Sequence, residues 1–170
     1  MTQTVDIDKL LNDLSQQLRS HLSDNDIKAP LMIGIHSGGV WVAERLHQLL
    51  QLKDPLGHLD ISFYRDDFSR IGMNPQVKPS HLPFSVDDRH IILVDDVLYT
   101  GRTIRAALNE IFDYGRPASV SLAVLIDRGR RELPIEANFS GLKMDLARGE
   151  NIKLQGPKPL SLLIANKACK

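Results

Sequence analysis

The chain has 170 residues, 42% hydrophobic and 25% charged, the composition of an ordinary globular protein long enough for one domain with a real core. Lys+Arg and Asp+Glu are equal at 21 each, so whole-chain charge selects no polyanionic partner and any nucleic-acid site must be a local patch. The single cysteine, Cys169, excludes an intrachain disulfide and a cysteine-built zinc cluster.

The N-terminus, MTQTVDIDKLL, lacks the basic start and apolar run of a signal peptide, and no later stretch is long and apolar enough to span a bilayer. A cytoplasmic protein without membrane association is expected. Asp6 or Asp8 can cap a first helix running to about Ser23, with Ile7, Leu10, Leu11, Leu14, Leu18 and Leu22 as its apolar stripe. Leu31-Met32-Ile33-Gly34-Ile35 reads as a buried strand, and His36-Ser37-Gly38-Gly39 then leads into a second helix over residues 40–52. A small-residue loop feeding a helix N-terminus is suited to an anion, because free backbone N–H groups and the helix dipole favour negative charge there. A generic α/β turn has the same appearance. Residues 58–64 alternate Leu59, Ile61 and Phe63 as a half-buried strand does. The segment that follows, to Pro83, contains Gly72, Pro75 and Pro79 and little that could pack, which predicts a lid or a disordered loop.

The most informative stretch is HIILVDDVLYTGRTIRAAL, residues 90–108. Ile91-Ile92-Leu93-Val94 predicts a fully buried parallel strand, with Asp95 and Asp96 at its carboxyl end. The turn Thr100-Gly101-Arg102-Thr103 then opens a helix over residues 103–114, with Ile104, Ala107, Leu108 and Ile111 on one stripe. Hydroxyls at Thr100 and Thr103, a close backbone approach at Gly101 and a helix N-terminus together suit a phosphate. Two ionised carboxylates can only accept hydrogen bonds, which suits sugar hydroxyls. The ligand implied is a sugar phosphate. The P-loop pattern and the G-x-G-x-x-G dinucleotide fingerprint are both absent.

Gly115 and Pro117 end that helix, and VSLAVLI at residues 120–126 predicts another buried strand, closed by Asp127-Arg128-Gly129-Arg130-Arg131. Every loop singled out so far follows a strand's carboxyl end, the place where open α/β sheets bind ligands. Residues 135–139 can form a short strand. Residues 152–154, a turn at Gly156-Pro157 and residues 160–165 predict a small hairpin. Cations outnumber acids from Arg128 to the end of the chain, so a basic patch is expected there.

IILVDDVLYTGRT resembles the signature of the type I phosphoribosyltransferases, enzymes that use 5-phosphoribosyl-1-pyrophosphate (PRPP). The resemblance implies an α/β fold with a central, mostly parallel sheet flanked by helices and a small C-terminal antiparallel hairpin, in a single domain over residues 1–170. It assigns the ribose and catalytic role to Asp95 and Asp96, and the 5′-phosphate of PRPP or UMP to Tyr99, Thr100, Gly101, Arg102 and Thr103. His36, Ser37, Gly38 and Gly39 become the pyrophosphate loop, although His36 can equally face solvent, and relatives often carry a basic residue where Gly38 stands. A mobile lid is implied over about residues 66–84, anchored by Arg65 and carrying Asp66, Asp67, Arg70 and Lys78. The base would lie beside Ile126, Asp127 and Arg128. Mg²⁺ would arrive on PRPP without a dedicated protein cage, with Asp95 and Asp96 at hand. No general base is evident, and an acid stands in purine-specific relatives where this chain has Tyr99.

YRDD at residues 64–67 and VLIDRGRRELPI downstream resemble one branch of the family, the pyrimidine regulators. That branch implies conversion of uracil and PRPP to UMP and pyrophosphate, together with UMP-dependent binding of pyrimidine leader mRNA by a homodimer. Arg130 and Arg131 are the RNA candidates, with Arg128 beside them; the alternative is that Arg128 and Arg131 hold the nucleotide site or a dimer contact. Glu136 stands where relatives are basic. A different reading is a nucleotide sensor with weak or lost turnover that acts through a protein partner.

Overall fold

The computed structural model describes residues 4–61 and 80–166. Helix α1 (Ile7–Asp24) starts where Asp6 Oδ1 accepts the Lys9 N–H at 3.1 Å. Of the two candidate caps, Asp6 is therefore the one used, and Asp8 falls in the first turn, where its charge complements the dipole. Leu11, Leu14 and Leu18 are fully buried. Each such leucine stabilises the fold by about 2 kcal/mol.

Five strands make one parallel sheet: β1 (Leu31–Ile35), β2 (Gly57–Leu59), β3 (His90–Leu98), β4 (Ser119–Asp127) and β5 (Phe139–Lys143), in the order β2-β1-β3-β4-β5. Helices α2 (Gly38–Leu50) and α3 (Arg102–Tyr114) connect it. Because helices cover both faces, residues 31–35, 91–94 and 122–126 of the central strands are apolar or glycine at every position, which is why they read as continuous hydrophobic runs. Met32, Ile92, Val94, Ala123 and Leu125 pack toward α1 and α2. Their neighbours Leu31, Ile33, Ile91, Leu93, Leu122 and Val124 pack with Ile104, Ala107 and Ile111 of α3. An antiparallel hairpin, β6 (Glu150–Gln155) and β7 (Ser161–Asn166), inserts Ile152 and Leu154 into the α1–α2 core. No helix among the described residues is long and apolar enough to cross a membrane.

Several boundaries differ from the sequence expectation, each for a packing reason. β3 does not stop at Val94: it runs through both acids, with Asp95 opposite Val124, Val97 opposite Ile126 and Leu98 opposite Asp127. Asp95 and Asp96 thus sit within a strand whose last residues remain paired. β5 lies at Phe139–Lys143 and not over residues 135–139. Its Gly141 passes so close to β4 and α1 that a Cβ would lie 2.7 Å from Leu125 O and 3.3 Å from Leu10 Cβ. β2 is three residues long, and of the strand expected over residues 58–64, residues 62–64 lie outside the described residues. Gly115 ends α3 through crowding: its backbone is extended, and a Cβ there would meet Asp87 Oδ1 at 2.5 Å.

Arg65, Asp66, Asp67, Arg70 and Lys78 also lie outside the described residues. The return leg of the expected lid is fixed, however. His81 and His58 exchange backbone hydrogen bonds at 2.8 Å in both directions, and Ser80 Oγ accepts the Asp60 N–H at 3.0 Å while bonding to Glu110 of α3. Residues 80–84 therefore belong to the scaffold.

Candidate active site

The carboxyl ends of β1, β3 and β4 bring three loops together. After β1, the His36–Ser37 peptide is cis and α2 begins at Gly38, earlier than periodicity suggests. Gly38 and Gly39 lie directly against the paired acids of β3. A Cβ on Gly38 would fall 2.6 Å from Asp96 Cγ, and one on Gly39 would fall 2.7 Å from Val94 O and 3.0 Å from Asp95 Oδ1. Gly38 thus leaves room for the Asp96 carboxylate, and Gly39 for the β3 main chain at Val94 and Asp95. The His36 ring is edge-on to His58, at 5.2 Å between centroids. Burial lowers the affinity of His58 for a proton, and the His81 charge adds to this against an opposing contribution from Glu44.

Asp95 is buried, and its Oδ1 accepts the Asp96 N–H at 2.9 Å; Asp96 is half-exposed. Beyond Tyr99, Gly101 takes φ +93°, a left-handed conformation natural to glycine, and its Cβ position would crowd Ile135 at 3.2 Å. Thr100 Oγ1 accepts the Arg102 N–H at 3.2 Å, and Arg102 pairs with Glu132 at 2.8 Å. The helix N-termini separate into two kinds. α1 carries the Asp6 cap and acidic Asp8, whereas α2 and α3 have no side-chain cap bond and no acidic residue in the first turn. Apart from the Arg102 N–H held by Thr100, their leading N–H groups and dipoles are suited to an anion.

A cavity of about 400 Å³ opens over this loop, lined by residues 95–104, Arg128 and three residues of β6, namely Asn151, Ile152 and Lys153. A larger cavity of about 970 Å³ between the start of α1 and the hairpin contains none of the acids or phosphate-loop residues. Convergent chemistry, and not size, marks the site.

Ile126, Asp127 and Arg128 are all buried at the end of β4. Burial alone would push the Asp127 carboxyl up, but hydrogen bonds from Arg131 and the Gly129 N–H, with the charges of Arg131 and Lys143, outweigh it and hold the group below its ordinary value. The Arg128 guanidinium lies 3.9 Å above the Tyr99 ring centre, and donates to Asn151 Oδ1 and Glu150 O at 3.1 Å each. Arg128 therefore clamps the hairpin to the phosphate loop, a role its place in a basic run did not disclose. Arg131 is equally engaged: it donates to Asp127 Oδ1 at 2.7 Å, Ile135 O at 2.8 Å and Tyr99 O at 2.9 Å. Of the two residues expected to meet RNA, Arg131 is a nearly buried staple, while Arg130 is exposed and holds Leu146 O with one nitrogen at 3.3 Å. The hairpin residues Asn151 and Lys153 were missed in the sequence. Their only signal is the polar–apolar alternation of Asn151-Ile152-Lys153-Leu154-Gln155.

Comparison with known proteins agrees with this geometry. Residues 2–155 match the phosphoribosyl transferase domain family. A protein named bifunctional protein PyrR from Nitrosococcus oceani is 61% identical over 163 residues, covering 95% of this chain and 92% of that one. A protein of the same name from Pseudomonas aeruginosa is 56% identical over 154 residues, covering 91% of each. Among solved structures, a hypoxanthine-guanine phosphoribosyltransferase from Bacillus anthracis superposes with a TM-score of 0.67 at 17% identity, covering 85% of both chains. A hypoxanthine phosphoribosyltransferase from Staphylococcus aureus gives 0.64 at 20% identity, covering 85% of this chain and 78% of the other; such likeness speaks for the fold alone. Together with the paired acids, the uncapped helix ends and the parallel sheet that carries them, these matches establish that the chain belongs to the phosphoribosyltransferase family.

Proposed function

We propose that this protein is a cytoplasmic bifunctional pyrimidine regulator: a uracil phosphoribosyltransferase that converts uracil and PRPP to UMP and pyrophosphate, and a UMP sensor that controls pyrimidine gene expression through leader RNA. The carrying observation is that Gly38 and Gly39 press against Asp96 and Asp95 while the uncapped ends of α2 and α3 flank the same two acids. One anion-binding helix end on each side of a carboxylate pair suits a ribose bearing phosphate at one end and pyrophosphate at the other. The two relatives named bifunctional protein PyrR, identical at 61% and 56% of aligned positions, support the pyrimidine branch.

In this reading residues 1–170 act as one catalytic domain, with the lid closing over the crevice. Asp95 and Asp96 accept hydrogen bonds from the ribose 2′- and 3′-hydroxyls and lie close to the positive charge that grows on the anomeric carbon. Thr100, Gly101, Arg102 and Thr103 hold the 5′-phosphate at the start of α3, and Ser37, Gly38 and Gly39 hold the pyrophosphate at the start of α2. Uracil lies beside Ile126, Asp127 and Arg128, where backbone groups read its polar edge. The family's Mg²⁺ would suit this donor set, because Asp95 and Asp96 offer carboxylate oxygens next to a phosphate-bearing ligand. When bound, the ion neutralises charge on the leaving pyrophosphate.

A second reading is favoured by one observation: Arg131 is engaged within the fold and Glu136 lies within 3.8 Å of it, so the basic face available to RNA is smaller than the sequence suggests. On that reading the site senses UMP and a protein partner carries the signal. The readings are tested by measuring UMP formation from uracil, PRPP and Mg²⁺ alongside titration with pyrimidine leader RNA. A bifunctional protein should show turnover, and RNA binding that UMP tightens and added salt weakens steeply. Turnover without RNA binding would favour the protein-partner reading, and absence of UMP would overturn the assigned reaction.

A further inference from the structure

The cavity over the Thr100–Thr103 turn is bordered by three cationic residues: Arg102, Arg128 and Lys153. Arg102 is paired with Glu132, and Arg128 is stacked on Tyr99 and bonded to Asn151 and Glu150. Lys153, on β6, makes no hydrogen bond or ion pair among the described residues. Of the three, it is the cation whose charge the described fold does not use.

The alternation of β6 fixes the face on which Lys153 stands. Ile152 and Leu154 are buried in the core, so Asn151 and Lys153 share the opposite face, roughly 7 Å apart along the strand. Asn151 shows what that face meets. Its Oδ1 accepts from the Arg128 guanidinium, which lies 3.9 Å above the Tyr99 ring centre. Tyr99 immediately precedes Thr100, where the turn into α3 begins. Lys153 therefore stands on the hairpin face turned to that loop, and it borders the same cavity as Thr100, Gly101 and Thr103. The loop offers an anion the N-terminus of α3, which has no acidic residue in its first turn, but its own arginine is held by Glu132. The loop after β1 does not border this cavity.

We propose that Lys153 is a substrate-binding residue for the 5′-phosphate, reaching from the hairpin across the cavity to the anion held at the start of α3. The inference rests on the phosphoribosyltransferase reading of the site and adds to it a contact from outside the phosphate loop. Backbone N–H groups give the phosphate direction but only partial positive charge. A lysine supplies a full charge, and three donors on a flexible stem meet phosphate oxygens without the fixed geometry of a guanidinium. Arg128 is a positioning residue for Lys153, because it holds Asn151 two residues earlier on the same strand.

The test is calorimetric titration of wild type, Lys153→Met and Lys153→Arg with UMP in the absence of Mg²⁺ and, separately, with Mg²⁺–PRPP. Both ligands carry the 5′-phosphate, so Lys153→Met is expected to weaken each roughly tenfold, the size of a lost charge-assisted contact. Lys153→Arg is expected to regain most of the loss. Phosphorus NMR of bound UMP across pH reads the charge itself. The second ionisation of a phosphate ester lies near about pH 6, and a neighbouring cation favours the dianion. In UMP bound to wild type that ionisation should fall below its value in free UMP, and in Lys153→Met it should move back up. A lysine that only supported the hairpin would leave it in place. Unchanged UMP affinity or an unchanged phosphate ionisation in Lys153→Met would overturn the proposal, and so would a loss confined to PRPP, which would put the lysine on the pyrophosphate. If wild type binds neither ligand, the phosphoribosyltransferase reading fails and this proposal with it; if wild type binds both and Lys153→Met matches it, only the role of Lys153 fails.

Discussion

Gly38 and Asp96 compete for the same space: a Cβ on the glycine would stand 2.6 Å from the aspartate's Cγ. Gly39 is confined differently, since its Cβ would meet Val94 O, which is main chain, at 2.7 Å. The two glycines should therefore fail in different ways. In Gly38→Ala the Asp96 carboxylate can rotate aside, so folding is retained within about 1 kcal/mol while kcat/KM falls on the order of tenfold or more, because the ribose contacts are displaced. In Gly39→Ala the backbone has to move, at a cost of about 1–3 kcal/mol. Urea denaturation beside steady-state kinetics separates the two, and a Gly38→Ala variant with normal kinetics would contradict the crowding.

Asp127 and Arg131 form a buried pair at 2.7 Å that pins the loop after β4 beneath Tyr99. Removing one partner leaves an uncompensated charge, so Arg131→Met should cost about 3 kcal/mol. The pH dependence follows from the lowered pKa of Asp127. A carboxyl whose folded value lies below its unfolded value contributes stability that is fully present above the unfolded value and is lost as pH falls through the folded one. Acid unfolding of wild type should then show a contribution from this group below the ordinary aspartate range that Asp127→Asn removes. Coincident acid limbs for the two proteins would argue against it.

His58 responds to pH at a milder value. Burial lowers its affinity for a proton in the fold, so protonation favours the unfolded chain. Its contribution is present above about pH 6.5 and declines as pH falls through and below that value. A thermal-melt series from about pH 8 to about 5.5 should show wild type losing more stability than His58→Gln, the window in which an ordinary histidine takes up its proton. Because His58 also touches the His36 ring and exchanges backbone bonds with His81, acidification should loosen the contacts of residues 36, 58 and 81 before the central strands.

Arg130 is the exposed member of the Arg128–Arg131 run and the better probe of RNA contact. Arg130→Ala should weaken leader-RNA binding and flatten its salt dependence by about one phosphate contact, leaving UMP formation unchanged. Arg131→Ala is a poor probe, since loss of its three internal acceptors destabilises the loop itself. Electrophoretic titration at several salt concentrations reads the difference, and an unchanged salt slope in Arg130→Ala would remove it from the interface.

The parts of this molecule that were legible in the sequence are those governed by local periodicity. Residues 31–35, 91–94 and 120–126 are largely apolar because both sheet faces are covered, and the stripes of α1 and α3 follow from a single buried side of each helix. What escaped depended on partners far along the chain. Asp95 and Asp96 look like the end of a strand, yet β4 keeps β3 paired as far as Leu98. Residues 135–139 read as the next strand, yet β5 lies at Phe139–Lys143, where Gly141 lets it approach Leu125 and Leu10. Charge runs were the least reliable: Arg128 and Arg131 read in sequence as RNA contacts or as holders of the nucleotide site or a dimer contact, and in the fold they are internal fasteners. Asn151 and Lys153 reach the site because a hairpin well downstream of β4 folds back over it.

The proposed reaction depends on Asp95 and Asp96 holding a phosphoribosyl group for transfer to uracil. The decisive measurement is UMP formation from uracil, PRPP and Mg²⁺ by wild type and by Asp95→Asn/Asp96→Asn, after equal thermal melts have shown that both are folded. Wild type should form UMP, and the double variant should lose at least about a hundredfold in rate, because amides replace the acceptors and the negative charge facing the developing cation. Turnover by the double variant at the wild-type rate would contradict the assignment of both acids.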